Sequence, residues 1–293
     1  MNRNSSLKAL DELFNEVGTY RKSHQFRELL EFIRRFPGMS PYNAMLIHMQ
    51  KPGCRYVLTP AKWWEKFGCR IRPYARPLVI LRPFGPVSFV FDIEDTEGGD
   101  IPYDVLKPFP VNGVISPEFF CNLRNNLQRE GVEYHEADYG LEYAGCIERR
   151  DDLKPLALEH FRVPQFFRMM ANRNLNAEER FATIAHEMGH MLCGHLGSPV
   201  PGWLPERWGE SKNVREFEAE SVAWLVCKRA GIDSLSSAGY LFGYLDAYDE
   251  IPPISLEAVL RAVNILEDMY RNQNYKVNKK LVDAEERRRG KIR

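Results

Sequence analysis

Apolar residues recur at two different periods along this chain, and the switches between them divide it into elements. Leu7, Leu10, Phe14 and Val17, then Phe26, Leu29, Leu30 and Ile33, are three or four apart, which predicts one or two amphipathic helices over residues 7–36. Ser40-Pro41 predicts another helix start, with Asn43, Leu46 and Met49 along it. Thr59-Pro60 predicts a short helix that ends at Gly68 and carries Trp63 and Phe67 on one face. Strand-like runs follow at 69–72, 77–82 and 87–93, separated by turns rich in Pro and Gly. The first hundred residues therefore predict helices followed by a small antiparallel sheet.

Acidic, Gly and Pro residues then interrupt the pattern, and a linker is expected over 99–115. Ser116-Pro117 opens a helix that Gly131 closes, and short strands are expected at 132–135, 143–148 and 156–159. Asn176 followed by Glu179 has the form of a capping box, and Phe181, Ile184, Ala185, Met188 and Leu192 give the helix behind it a buried face up to Gly194. A second helix runs through Arg215–Ala223, with Phe217, Val222, Leu225 and Val226 as its apolar contacts and Gly231 as its stop. A last helix runs from near Ser255 to about Arg271, and the charged end is expected to fray. The scheme is an α+β chain: a domain at 1–98, the linker, a second domain at 116–275 and a charged tail at 276–293. A strand just before the Asn176 helix would offer an extended peptide an edge to pair with.

Composition narrows the classes. Hydrophobic residues make up 44% of the 293, enough for a sizeable core, and no apolar run approaches the roughly 20 residues of a membrane span. The N-terminus lacks the apolar core of a signal peptide, so a cytoplasmic location without membrane contact is expected. Six scattered cysteines without a CxxC pair point to reduced thiols, with Cys193 a small core residue. Net charge is zero, yet Lys and Arg exceed Asp and Glu by nine over residues 1–90, and the reverse holds over 91–293. A basic front part suits a polyanion.

The chemistry concentrates at His186-Glu187-Met188-Gly189-His190. Histidines four apart share one helix face and can hold Zn2+, with Glu187 as general base towards an activated water. This is the HExxH signature of zinc metallopeptidases, in which Gly189 would leave room beside the metal. A catalytic zinc needs a third protein ligand and an open position. Glu216 and Glu220 share a face of the second helix, while Glu218 points elsewhere. The run Glu216-x-x-Ala219-Glu220 resembles that of peptidases with a Glu third ligand, which implies Glu216 as ligand and Glu220 as acceptor for a zinc-histidine N–H. Exchanged roles are the rival assignment. Tyr240 and His195 are candidate donors to the tetrahedral oxyanion. His195 lies five residues past His190, off the shared face, so the plainer reading is a surface or loop histidine; Tyr240 equally suits a core or hinge.

Both halves resemble known families. Residues 28–98 resemble the N-terminal domain of ArdC-like antirestriction proteins, in Ser40-Pro-Tyr-Asn43, Gln50, Trp63–Gly68, Arg70-Ile71-Arg72, the Leu78–Pro83 strand and Val90–Thr96. Residues 140–245 resemble the ImmA/IrrE-type metallopeptidase domain, in Arg180–His190, Glu216–Ala223 and Ser237–Tyr240. The resemblance implies a zincin-like peptidase domain acting on a protein or peptide, joined to a module for single-stranded DNA and serving antirestriction or regulation on mobile elements. Lys62, Lys66, Arg70, Arg72, Arg76 and Arg82 would then follow phosphates, and Trp64 or Tyr74 would stack on bases. The turn Pro73-Tyr74-Ala75-Arg76 departs from the family in lacking a glycine. Two other functions fit the same residues: a non-catalytic DNA-binding antirestriction protein with a structural metal, and a regulatory protease that cleaves a repressor.

Overall fold

The computed structural model describes the backbone of residues 19–82, 85–102, 113–138, 144–232 and 235–290; the side chains of residues 19, 85–86 and 235–240 also lie outside the described set. The helices expected over residues 7–18 and most of the expected linker fall outside it as well. The chain is mixed α+β and forms two compact units, one of Arg27–Pro110 and one of the residues up to Phe26 together with Val111–Arg293.

The helix Ser23–Ile33 (α1) ends in the smaller unit. There α2 (Pro41–Gln50) and α3 (Pro60–Phe67) start as their sequences require: Ser40 and Thr59 accept hydrogen bonds from the Asn43 and Lys62 amides, with Pro at the first helical position. α3 stops at Gly68, whose φ of 65° suits a residue without Cβ. Trp63 is fully buried, 5.6 Å from the Phe67 ring.

The strands correct the expected sheet. β1 (Val57–Leu58), β3 (Leu78–Arg82) and β4 (Gly85–Asp92) form one antiparallel sheet in the order β1-β4-β3. β2 (Arg70–Ile71) leaves it to pair with β5 (Thr96–Glu97). The expected third strand is thus replaced by a two-residue segment too short for a periodic signal. The outer edge of β3 is closed by side chains of α2. Gln50 donates to the Val79 carbonyl and accepts from its N–H at 2.9 and 2.8 Å, and Asn43 does the same for Leu81 at 3.0 and 2.9 Å. Lys51 lies 2.9 Å from the buried Asp92 carboxylate, which also takes the Arg55 and Tyr56 amides at 3.1 and 3.2 Å.

The larger unit opens with α4 (Pro117–Asn126) and a mixed sheet of β6 (Val132–Ala137), β7 (Gly145–Arg149) and β10 (Phe167–Asn172), in the order β6-β10-β7. β8 (Leu156–Leu158) and β9 (Phe161–Val163) form a separate hairpin. β10, the strand just before the HExxH helix, is central, with β6 parallel on one side and β7 antiparallel on the other. It therefore has no free edge, and among the described residues the edges of this sheet are β6 and β7.

α5 (Ala177–Leu192) carries the expected capping box, with both the Asn176 and Glu179 bonds formed. α6 (Lys212–Arg229), α7 (Leu235–Ala247), α8 (Leu256–Arg271) and α9 (Lys279–Arg288) complete the unit. A buried Arg229–Glu267 pair at 2.7 Å ties α6 to α8. The expected frayed tail is helical through Arg288, because Leu281 and Val282 find burial. All six cysteines are free. Among the described residues no helix is long and apolar enough to cross a membrane.

Candidate functional site

α5 and α6 approach closely at Gly189. A Cβ there would stand 3.1 Å from the Ala219 Cα and 3.3 Å from the Ala219 carbonyl oxygen. Gly189 therefore leaves room for the facing helix rather than for a metal. The contact brings His186 and His190 of α5 opposite Glu216 and Glu220 of α6.

His186 Nε2 and His190 Nε2 are 3.1 Å apart, and each is 3.7 Å from Glu216 Oε2. A tetrahedral zinc with bonds of about 2.1 Å separates its ligand atoms by roughly 3.4 Å, so these spacings bracket what such an ion needs. Glu220 faces the other nitrogen of His186, with Oε1 3.4 Å from Nδ1. The four side chains thus meet between α5 and α6, and His186 Nε2, His190 Nε2 and Glu216 Oε2 form a group able to hold a metal ion. Two imidazole nitrogens and one carboxylate oxygen suit zinc chemistry.

The electrostatics follow from burial and neighbours. Burial pulls the His186 pKa down, but the Glu220 bond and the charges of Glu220, Glu187 and Glu216 outweigh it and raise it. His190, facing it at 3.7 Å, holds the Glu216 carboxyl below its usual range, with His186 adding to the effect. Burial raises the Glu187 pKa against the pull of His186, His190 and the Ile147 amide. That amide, on β7, donates to Glu187 Oε2 at 3.0 Å and fixes the carboxylate against the strand. An acid raised towards neutrality can both take and return a proton.

The expectation of a surface or loop histidine holds in part: His195 lies in the turn after α5, but not at the surface. It is 2% exposed, and its Nδ1 lies 3.0 Å from His190 Nδ1. The helical-angle argument failed because α5 ends at Leu192 and Gly194, with φ of 85°, turns the chain back. His195 Nε2 meets Glu218 at 2.8 Å. Glu218 is fully buried and also holds Arg207, through two bonds of 2.6 Å, and the Ser255 amide at 2.6 Å. Burial alone would raise the Glu218 pKa, but His195 and Arg207 hold it low; burial lowers that of His195. Cys193, His195 and Glu218 could also group around a cation. Both Glu218 oxygens, however, already accept two donors each, which fills their lone pairs. Arg207, eleven residues before Glu218, carries no sequence pattern that could have marked it. Tyr240 lies on α7, and its side chain is outside the described residues.

Lys62, Trp64, Lys66, Arg70, Arg72, Arg76 and Arg82 are all exposed. Arg70 stands 5.2 Å over the Trp64 ring, and the two share a shallow depression of ≈ 450 Å³ with Pro60, Cys69 and Ile71. Arg72 is partly committed, donating to the Thr96 carbonyl at 2.9 Å. No contact among the described residues draws Lys62, Lys66, Arg76 or Arg82 into that depression. Tyr74 takes the left-handed φ of 65° where a glycine was expected, with its ring fully exposed. Beside them the hairpin presents Val79, Leu81, Val87 and Phe89 to solvent.

Comparison of the chain with family models, with curated proteins and with solved structures found no match.

Proposed function

We propose that this protein is a zinc-dependent endopeptidase of the ImmA/IrrE-like, zincin type, coupled to an ArdC-like module for single-stranded DNA. The observation that carries the reading is the donor triangle of His186, His190 and Glu216, with Glu187 beside it. Three protein donors leave a fourth position open, whereas a structural zinc site closes all four and has no use for a neighbouring base. When bound, zinc supplies a Lewis acid that polarises a carbonyl and makes water acidic near neutral pH. Glu187 takes the proton from the attacking water and returns it to the leaving amine. Its bond to the Ile147 amide holds the carboxylate in place for both transfers. Glu220 orients His186 through Nδ1. The outer edge of β7, apart from the Ile147 N–H that Glu187 takes, offers backbone groups to an extended peptide.

The DNA half of the reading rests on the exposed cations and on two exposed rings: Tyr74, open to stack with a base, and Trp64, with Arg70 over one face. Such a pairing of peptidase and DNA module suits antirestriction or regulation on a mobile element.

Metal analysis of the purified chain tests the first half. About one zinc per chain is expected, lost in Glu216→Ala and only weakened in Glu220→Ala. Cleavage of a general protein substrate by the parent but not by Glu187→Gln, with zinc retained in both, completes that test. A chain without zinc refutes it. For the second half, single-stranded DNA affinity should fall steeply with salt and drop in Arg70→Ala/Arg72→Ala/Arg76→Ala; a flat response refutes it.

A further inference from the structure

We infer that His195 is a positioning residue that fixes which nitrogen of His190 is free for a metal. The inference rests on the zinc reading above and deepens it, and its starting point is the hydrogen bonding behind the donor triangle.

His190 Nδ1 and His195 Nδ1 are 3.0 Å apart, so one hydrogen lies between them and one of the two must accept. The other nitrogen of His195 faces Glu218, whose ionised carboxylate can only accept; Nε2 of His195 therefore carries its hydrogen. Glu218 is already neutralised by the two-bonded Arg207 guanidinium. Arg207 also reaches the partly exposed Glu210 at 3.2 Å, but the His195 ring is shut off from water and burial disfavours a charged imidazole there, so its Nδ1 is a lone pair. His190 must then donate from Nδ1. Its Nε2 is left without a hydrogen and points at His186 Nε2 and Glu216 Oε2, where a ligand atom is needed. Protonation is thus set in sequence by Arg207, Glu218, His195 and His190. Ser255 adds an amide to Glu218 from the start of α8, so the order is anchored from three separate segments.

A metal-ligating histidine needs its far nitrogen held. For His186 the holder is a carboxylate, Glu220; for His190 it is a second imidazole.

Two substitutions separate positioning from mere filling of space. Asn at 195 places an oxygen near the Nδ1 position and can accept from His190. Gln at 195 reaches Glu218 but presents no acceptor to His190. Zinc affinity of the full chain, measured by competition with a chelator, should fall roughly 10–100-fold in His195→Gln and stay close to the parent in His195→Asn. The Co2+-loaded chain should show an altered d–d spectrum in His195→Gln only. A role confined to satisfying Glu218 gives the opposite order, with Gln the better replacement, and that order overturns the inference, as does unchanged affinity in both. A further measurement needs neither metal nor substitution. Imidazole 15N NMR of the metal-free parent should show His190 with its hydrogen on Nδ1. A hydrogen on Nε2 refutes the inference even if zinc binds, whereas a parent that binds no zinc but shows the Nδ1–H form removes the peptidase reading and leaves the positioning role standing.

Discussion

Replacing Glu218 by Gln tests the buried network by its energy. The wild-type carboxylate is fully buried and accepts four donors: two from Arg207, one from His195 and one from the Ser255 amide. An amide in its place has one acceptor oxygen and one donor nitrogen. At least one of these partners then faces an N–H instead of a lone pair, and Arg207 keeps only the partly exposed Glu210, at 3.2 Å, as counter-charge. Removing one partner of a buried ion pair costs about 3–5 kcal/mol. The Arg207 side chain keeps 17% exposure, so water relieves part of the loss, and the lower end, about 3 kcal/mol, is expected. At roughly 2–4 °C per kcal/mol for a unit of this size, the melting temperature should fall by about 6–12 °C. The assay is thermal unfolding followed by circular dichroism with chelator present, so that metal binding does not contribute. A fall under about 2 °C would refute the reasoning, because it would mean that the four short contacts carry no net energy. A cycle with Arg207→Met adds a second check: Glu218→Gln should cost less in that background, where no buried cation is left unpaired.

Three further outcomes are expected. Burial pushes the Asp92 carboxyl up, but Lys51 and the Tyr56 and Arg55 amides prevail and hold it below the usual range. Its stabilisation is therefore complete above the unfolded carboxyl pKa and lost as pH falls through the lower folded value; Asp92→Asn should cost about 1–3 kcal/mol at neutral pH, with the gap to the parent closing in acid melts. Gly189→Ala should destabilise by about 1–2 kcal/mol, because overpacking against the Ala219 backbone exceeds the helix-propensity gain, and should weaken zinc binding by shifting Glu216; denaturant titration with no loss of stability would contradict this. Tyr74→Gly should raise stability by about 0.5–1 kcal/mol by relieving the left-handed backbone, yet weaken single-stranded DNA binding by about 1–3 kcal/mol if the ring stacks on a base.

The local chemistry of the chain was legible in its residues. Ser40, Thr59, Asn176 and Ser255 each marked a helix start because a cap is a short-range bond between neighbours in sequence. That His186 and His190 share one helix face, and Glu216 and Glu220 another, followed from helical angles; the choice of Glu216 over Glu220 as ligand came from the resemblance to peptidases with a Glu third ligand. Where a helix ended or a partner lay far along the chain, the same logic failed. His195 was placed on the wrong side because the angle was carried past the last turn of α5. The burial of Glu218 required Arg207 and Ser255, neither of which any spacing rule connects to it. β1 and β2 are two residues each, and β10 (Phe-Arg-Met-Met-Ala-Asn) takes its strand character from neighbours on both sides rather than from its own composition.

Asn43 and Gln50 do more than occupy an exposed edge. Along a strand only every second peptide group faces a given side, so two amides engaging Val79 and Leu81 can be satisfied in one alignment and are both left unpaired if β3 slips by a single residue. They sit about 10 Å apart along α2 and meet groups about 7 Å apart on the strand, a difference absorbed by the longer glutamine side chain. The pair therefore acts as a register lock, and it makes the small sheet a poor template for a foreign strand. Exchanging the two residues, Asn for Gln and Gln for Asn, keeps the composition but places the longer reach at the wrong end, so the alignment rather than the mere presence of amides is what the fold requires.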